Sequence, residues 1–345
     1  MSMNTVKSIK LPERIELAHG SGGRAMQQLI EQMFQPAFAN PWLAQQNDAA
    51  CVEVAAGRMV ITTDAHVITP LFFPGGDIGS LAVHGTINDV AMLGATPLYL
   101  TVSFIVEEGF AISQLQAIVT SMASAAQAAG VAVVAGDTKV VEKGSADGVF
   151  ITTTGVGMVP EAVHISGDQA KVGDHILLNG DIGDHGIAIM AQRENLEFST
   201  QVTSDSAALH DLVAHMVAAV PNIHCLRDPT RGGLATTLNE LTRQSQVGMC
   251  IDETFISCKT AVRSACELLG LDPLYVANEG KLVAVCGAED SDTLLSVMCQ
   301  HPLGQKSAII GEVTDDPRAR VQMRTLLGGM RLVDWLAGEQ LPRIC

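Results

Sequence analysis

The chain has 345 residues, 47% hydrophobic and only 4% aromatic, with 32 glycines and a formal net charge of −16 from 37 acidic against 21 basic residues. A surface this acidic repels phosphate backbones and anionic lipid, which disfavours nucleic-acid and membrane roles, and no apolar run is long enough to span a bilayer. The length suits two α/β domains with aliphatic cores.

Met1–Pro12 is polar and lacks the apolar stretch of a signal peptide, so a cytoplasmic protein is expected. Segment 1–44 then holds a glycine-rich turn, His19-Gly-Ser-Gly-Gly23, ahead of a helical period at Met26, Leu29, Ile30 and Met33. Strand-like runs follow at 50–55 and 59–63, the second ending in Asp64. A turn at 72–76 leads into a helix over 78–93. A strand at 98–106, a helix over 113–129 capped by Ser113, a strand at 131–135 ending in Gly136-Asp137, and a strand at 149–159 complete a first domain over 45–160. The stretch 160–174 reads as a linker. A second strand–helix series, domain 170–335, has strands near 175–179, 247–251, 281–286 and 308–313. Its helices fall near 186–193, 205–220 and after Gly232-Gly233. The tail 336–345 ends in Cys345. From Trp335 it spans ten residues, roughly 33 Å when extended at about 3.3 Å per residue.

Of the eight cysteines none forms a CxxC pair, so zinc, iron–sulfur and disulfide chemistry have little support. Cys51, Cys250, Cys266 and Cys286 sit in apolar contexts and read as core. Cys345 alone stands where a thiol is both mobile and reachable.

Four aspartates recur at ends of apolar runs: Asp48, Asp64, Asp89 and Asp137. Singly each reads as a turn or cap residue; convergent, their hard oxygens would suit Mg²⁺ beside substrate phosphates. Asp89 is the hardest to dismiss, because it interrupts an apolar helical pattern. Lys139, two residues past Asp137, would neutralise a transferring phosphoryl group. Gly20, Ser21, Gly22 and Gly23 would offer backbone N–H groups to phosphate, although no Walker A lysine follows. Arg227-Asp-Pro-Thr-Arg-Gly-Gly233 and Asn278-Glu-Gly-Lys281 look like an anion site with an acid/base carboxylate, Glu279. His185 opens a helix and reads as a cap.

In order along the chain stand Asn47-Asp-Ala-Ala50, Thr62-Thr-Asp64, Phe72-Phe-Pro-Gly-Gly-Asp-Ile-Gly79, Asn88-Asp-Val-Ala91, Gly136-Asp-Thr-Lys-Val140, Gly183-Asp-His-Gly186, Asp228-Pro-Thr-Arg-Gly-Gly233, Asn278-Glu-Gly-Lys281 and Pro342-Arg-Ile-Cys345. From about Ile15 onward this set resembles the HypE family of NiFe-hydrogenase maturation factors. That family belongs to the aminoimidazole ribonucleotide synthetase (PurM-like) ATP-binding superfamily, with selenophosphate synthetase and thiamine monophosphate kinase. The resemblance implies a two-domain PurM-like α/β (α+β) fold, with a mixed N-terminal sheet that pairs in a homodimer and a flexible C-terminal tail. It implies ATP bound through Gly20, Ser21, Gly22, Asn88, Gly136, Thr138, Asp228 and Arg231, and Mg²⁺ on Asp48, Asp64, Asp89 and Asp137.

The implied reaction is dehydration of a carbamoyl group on Cys345 to a thiocyanate, with Lys139 and Glu279 as catalytic partners. The carbamoyltransferase HypF would load the thiol, and a HypC–HypD complex would accept the cyanide for iron. One departure is Asn47, where an acidic residue is expected. The rival readings are selenophosphate synthetase, which would want a reactive Cys near the N-terminus, and a non-catalytic scaffold that docks through its tail.

Overall fold

The computed structural model describes residues 11–21, 24–45, 49–52, 55–194, 202–336 and 343–344. Gly22, Gly23, Asn47, Asp48, Pro342 and Cys345 lie outside them.

The described chain opens with a 3₁₀ turn (Leu17–Gly20), α1 (Arg24–Leu29), a π-helical turn (Ile30–Phe34) and α2 (Gln35–Ala37). The first domain then runs β1 (Arg58–His66), the short pair β2 (Phe72–Phe73) and β3 (Gly76–Asp77), α3 (Ile78–Ala91), β4 (Thr96–Glu107), α4 (Ile112–Ala128), β5 (Ala132–Val141) and β6 (Val149–Val159). Its four-stranded sheet has the order β1-β6-β4-β5, mixed because β4 and β5 are parallel. α3 begins on Asp77, whose Oδ1 accepts from the Gly79 and Ser80 amides at 2.7 and 3.1 Å, a cap contributing about 1 kcal/mol. It is buried on nearly every side because Gly155 and Gly157 of β6 leave room: a Cβ on Gly157 would lie 2.4 Å from Val90 Cγ1.

α3 and α4 cover one sheet face and form with β4 a core around Leu81, Ile87, Leu100, Phe104, Ile118 and Met122. The opposite face is open. Met59, Ile61 and Ile105 are exposed on it, and Asp137 and Lys139 stand on the same side.

The second domain runs β7 (His175–Leu178), α5 (Asp184–Arg193), α6 (His210–Ala219), β8 (Ile223–Arg227), α7 (Gly233–Ser245), β9 (Gly248–Asp252), α8 (Thr260–Leu269), β10 (Val283–Cys286), α9 (Ala288–Gln300), β11 (Ala308–Thr314), β12 (Val321–Arg324) and β13 (Met330–Val333). Its seven-stranded sheet, order β13-β12-β9-β11-β7-β10-β8, is packed by α6 and α9 on one face and α7 on the other. Val90 and Val159 of the first domain share the α6–α9 core, so the two domains are packed together.

Several expectations are corrected. No strand forms in the described part of 50–55, and Cys51 is exposed rather than core. Cys250 is half-buried, while Cys266 and Cys286 are buried as expected. The cap of α4 is Ala111, not Ser113. Segment 13–15 pairs with 109–112 there, and Ile112 N donates to Glu13 O at 3.0 Å. The helix expected from 205 starts at His210. The chain before it is wedged between domains, with Ser204 N donating to Pro74 O at 2.8 Å. The tail also ends docked: Ile344 is 4% exposed and bridges Ile68, while Arg343 pairs with Asp147 at 2.5 Å.

Candidate active site

β1 carries Asp64 and His66 on one face, two residues apart, as strand alternation requires. His66 Nε2 lies 3.2 Å from Asp64 Oδ2. Against them stands Asp89, one turn from the end of α3, whose Oδ2 accepts from Thr62 Oγ1 at 2.9 Å. The second domain closes the cleft with Asp228, Thr230 and Arg231 from the loop after β8 and with Glu279 from the loop before β10. Asn278, fully buried, ties these loops together. Its Nδ2 donates to Pro229 O at 2.8 Å and its Oδ1 accepts from Gly183 N at 2.7 Å. Gly85 floors the cleft, where a Cβ would come 3.1 Å from His66 Nε2 and 3.2 Å from Asp64 Oδ2. The cleft holds about 160 Å³.

Four carboxyls in one small space repel one another. Burial raises Asp228 to about 7, with the charges of Asp89 and Asp64 adding to it. Glu279 is pushed well above the usual carboxylate range by burial, then by Asp228, Asp205, Asp64 and Asp89. Asp89 is raised, chiefly by burial, although the Thr62 hydroxyl opposes this. Asp64 ends lowered: burial works to raise it, and the His66 hydrogen bond and charge outweigh that. Glu279 Oε1 is buried without a hydrogen-bond partner. The carboxyls of Asp64, Asp89 and Asp228 are a hard oxygen donor set that fits a divalent cation, and the unpartnered oxygen of Glu279 is left free to take a proton. Asp205 positions Glu279: its Oδ1 accepts from Glu279 N at 3.1 Å while its Oδ2 pairs with Lys281 at 2.9 Å.

A second group of expected site residues lies at the other edge of the sheet. The residues Asp64, Thr153, Val102 and Gly136 share one rung across β1, β6, β4 and β5. Three strand spacings, roughly 14 Å, therefore separate Asp64 from Gly136 within one chain. Asp137 and Lys139 are 3.9 Å apart, solvent-exposed, and on the open face, opposite to the side that Asp64 takes. They are also inside β5 rather than at its tip, because pairing with β4 carries the strand on to Val141. So Asp64 and Asp89 converge, and Asp137 does not join them.

Gly20 presses on β5, where a Cβ would lie 2.4 Å from Val140 N. Ser21 turns both its amide and its hydroxyl to Ala18 O. Beside Gly136, Asp137 and Thr138 a cavity of about 350 Å³ is lined by Phe34, Phe38 and Trp42. Asn88, expected as a nucleotide ligand, is instead a buried interdomain clamp. Its Nδ2 donates to Ala207 O at 3.0 Å and Glu279 O at 3.4 Å, and its Oδ1 accepts from Leu209 N at 2.7 Å.

His185 is not a cap. It is fully buried in the first turn of α5, with Nε2 2.7 Å from Ile344 O and Nδ1 2.8 Å from Ser204 Oγ. This brings the end of the chain to the loops that hold Glu279, since Gly186 N donates to Ala277 O at 3.1 Å. Sequence reasoning passed over His66, Asp205 and the role of His185. The first was legible as an i, i+2 pair with Asp64; the others have no local signal.

A family model for AIR synthase related protein, N-terminal domain, matches residues 46–159, and its C-terminal counterpart matches 171–324. The chain is 65% identical over 333 residues to the carbamoyl dehydratase HypE of Cupriavidus necator, covering 96% of this chain and 95% of that one. Its structure is similar to that of a HypE in complex with ATP, with a TM-score of 0.93 and 49% identity over 96% of this chain and 99% of the other. It is also similar to a chain of a HypE–HypF complex, with a TM-score of 0.79 and 48% identity over 89% and 99% of the two.

Proposed function

The chain belongs to the HypE family of AIR synthase related proteins, and from that membership we propose how its residues divide the reaction of a carbamoyl dehydratase. The enzyme acts in hydrogenase maturation, using ATP to dehydrate a carbamoyl group carried on Cys345 to a thiocyanate. The carbamoyl oxygen takes the γ-phosphoryl group and ADP leaves. The C–O bond then breaks with departure of phosphate, the nitrogen gives up its two protons, and an S–C≡N group remains. Phosphorylation matters because an amide oxygen is otherwise a very poor leaving group.

Glu279 is the base for the nitrogen protons. Its raised pKa makes it a strong acceptor once ionised. Asp64, Asp89 and Asp228 would hold Mg²⁺, which when bound neutralises charge on the phosphates. Arg231 at the rim faces the phosphates. The aromatic slot of Phe34, Phe38 and Trp42 suits the adenine, with Gly136 and Thr138 beside it and Gly20 packed on the neighbouring Val140.

A homodimer resolves the separation between the two groups. Pairing the open sheet faces, with Met59, Ile61 and Ile105 at the contact, would bring Asp137 and Lys139 of one protomer to the edge strand β1 of its partner, around whose edge the carboxylate cleft is reached. There Lys139 stabilises charge on the transferring phosphoryl group. The carbamoyl donor in this reading is HypF, as the HypE–HypF complex of a relative suggests. The cyanide acceptor is a HypC–HypD complex, and the compartment is the cytoplasm. No described helix is long and apolar enough to cross a membrane.

The observation that carries this reading is the docked chain end: Ile344, one residue before Cys345, is held by His185 against the loop system of Glu279. Intact mass spectrometry tests it. With the carbamoyltransferase and its donor, Cys345 gains a carbamoyl group, and added ATP and Mg²⁺ lower the mass by one water. Cys345→Ala shows no adduct. A mass that ATP leaves unchanged would overturn the reading.

A further inference from the structure

Besides the side-chain contacts of Ile344 with the first-domain core and of Arg343 with Asp147, the end of the chain is held through its main chain. A carbonyl oxygen only accepts, so His185 Nε2 carries the proton donated to Ile344 O across 2.7 Å. Nδ1 is then the acceptor, and Ser204 Oγ–H, 2.8 Å away, must be its donor. Ser204 Oγ in turn accepts from Ser206 N at 3.1 Å, which aims its hydroxyl proton at the ring. The line Ser206 N–H, Ser204 O–H, His185, Ile344 C=O is thus polarised in one direction. At the other end of α5, Arg193 Nη2 donates to Arg343 O at 2.8 Å and to Thr69 O at 2.7 Å. Thr69 N also donates to Arg343 O, at 3.2 Å, completing the bridge between 68 and 344. The first and last turns of one helix therefore hold the carbonyls of two successive residues.

We propose that Ser204, His185 and Arg193 are positioning residues that form a latch for the C-terminal segment, fixing it for dehydration and releasing it for exchange with partner proteins. This rests on the reading of Cys345 as the carrier. The latch grips the carbonyls of Arg343 and Ile344, not the sulfur's substituent. It therefore grips the tail alike when the sulfur bears hydrogen, carbamoyl or cyanide, and it keeps the segment docked through both chemical steps. Loading and unloading need the opposite posture. Weakening the latch thus has opposite consequences: exchange of groups with a partner is spared or quickened, and the ATP-dependent step inside the cleft slows. A residue with only a structural role would depress both together.

The test compares wild type with His185→Leu, His185→Gln, Ser204→Ala and Arg193→Met as full chains. Two readouts apply: alkylation of Cys345 by iodoacetamide, read site by site by mass spectrometry, and single-turnover dehydration of carbamoylated protein. Loss of one buried hydrogen bond predicts about a tenfold faster alkylation and a comparable slowing of dehydration in H185L, with carbamoylation not slowed. S204A and R193M shift the same way by a few-fold. H185Q, whose amide can still donate to Ile344 O, stays near wild type. Unchanged alkylation and dehydration in S204A and R193M would overturn the latch, even if H185L fails to fold. Alkylation does not depend on the dehydration chemistry. Failure of wild type to dehydrate while the variants still alkylate faster would count against the proposed function and not against the latch.

Discussion

His185 Nε2 lies 2.7 Å from the carbonyl oxygen of Ile344, joining the first turn of α5 to a residue 159 positions later and one short of the terminal cysteine. That bond ties the second domain to a residue that itself packs with Ile68 in the first-domain core. It places the end of the chain next to a cleft whose carboxyls come from both domains.

Ile344 itself is a buried side chain packed with Ile68 in the first-domain core. Ile344→Ala removes about 2 kcal/mol of burial. Because only the tail detaches, that loss appears as about a thirtyfold shift in docking rather than in global unfolding. Alkylation of Cys345 should quicken while the melting temperature stays nearly constant. A large drop in melting temperature would show that the tail is part of the cooperative core.

Glu279→Gln keeps the shape of the protonated acid and removes the base. Dehydration should fall by about 10² to 10⁴, with carbamoylation of Cys345 and ATP binding retained. Retained dehydration in this variant would assign the proton transfers elsewhere.

Gly85→Ala adds one methyl at the floor of the cleft, tight against both His66 and Asp64. In a helix the substitution favours folding by up to about 1 kcal/mol, so the protein should remain folded. It should still lose Mg²⁺-dependent turnover by an order of magnitude or more. Normal turnover would place the cation away from Asp64.

The raised pKa values give a signed pH dependence. Asp228 is lifted from 3.8 to about 7, so the stability it contributes is full below pH 3.8 and is lost as pH rises through 7. Without divalent cations, wild type should therefore lose stability relative to Asp228→Asn as pH rises from about 4 to about 7 and change little above that. Mg²⁺ should stabilise wild type more at pH 8 than at pH 6. Parallel melting curves for the two proteins across that range would contradict the repulsive cluster.

Lys139 and Glu279 lie on opposite sides of the sheet in one chain, so a composite site predicts complementation. Lys139→Ala and Glu279→Gln, each inactive alone, should recover about a quarter of wild-type activity when their subunits are exchanged, since half of the dimers would be mixed with one intact site each. No recovery would mean that each chain completes its own site.

Much of this was legible beforehand, and what was not has physical causes. Asp89 announced itself by interrupting the apolar pattern of α3, and the structure brings it against Asp64. Asp137 misled because Gly136-Asp137 has the chemistry of a turn, yet pairing with β4 runs straight through it; strand ends are settled by the neighbouring strand. Asn88 stands beside Asp89 in the same motif but spends its amide on the other domain, a use no local pattern reveals. Asp205 and His185 matter through contacts 74 and 159 residues away, and the charge-dense loop at Asp228 read as an anion site without any local sign that it joins the acidic cluster.

The most direct test follows the carbamoyl oxygen. Carbamoylated protein carrying ¹⁸O in that group is given ATP and Mg²⁺ for a single turnover, and the released phosphate is analysed. Phosphorylation of the carbamoyl oxygen predicts one ¹⁸O in inorganic phosphate for each thiocyanate formed on Cys345. Thiocyanate formation with unlabelled phosphate and the ¹⁸O recovered in water would contradict it.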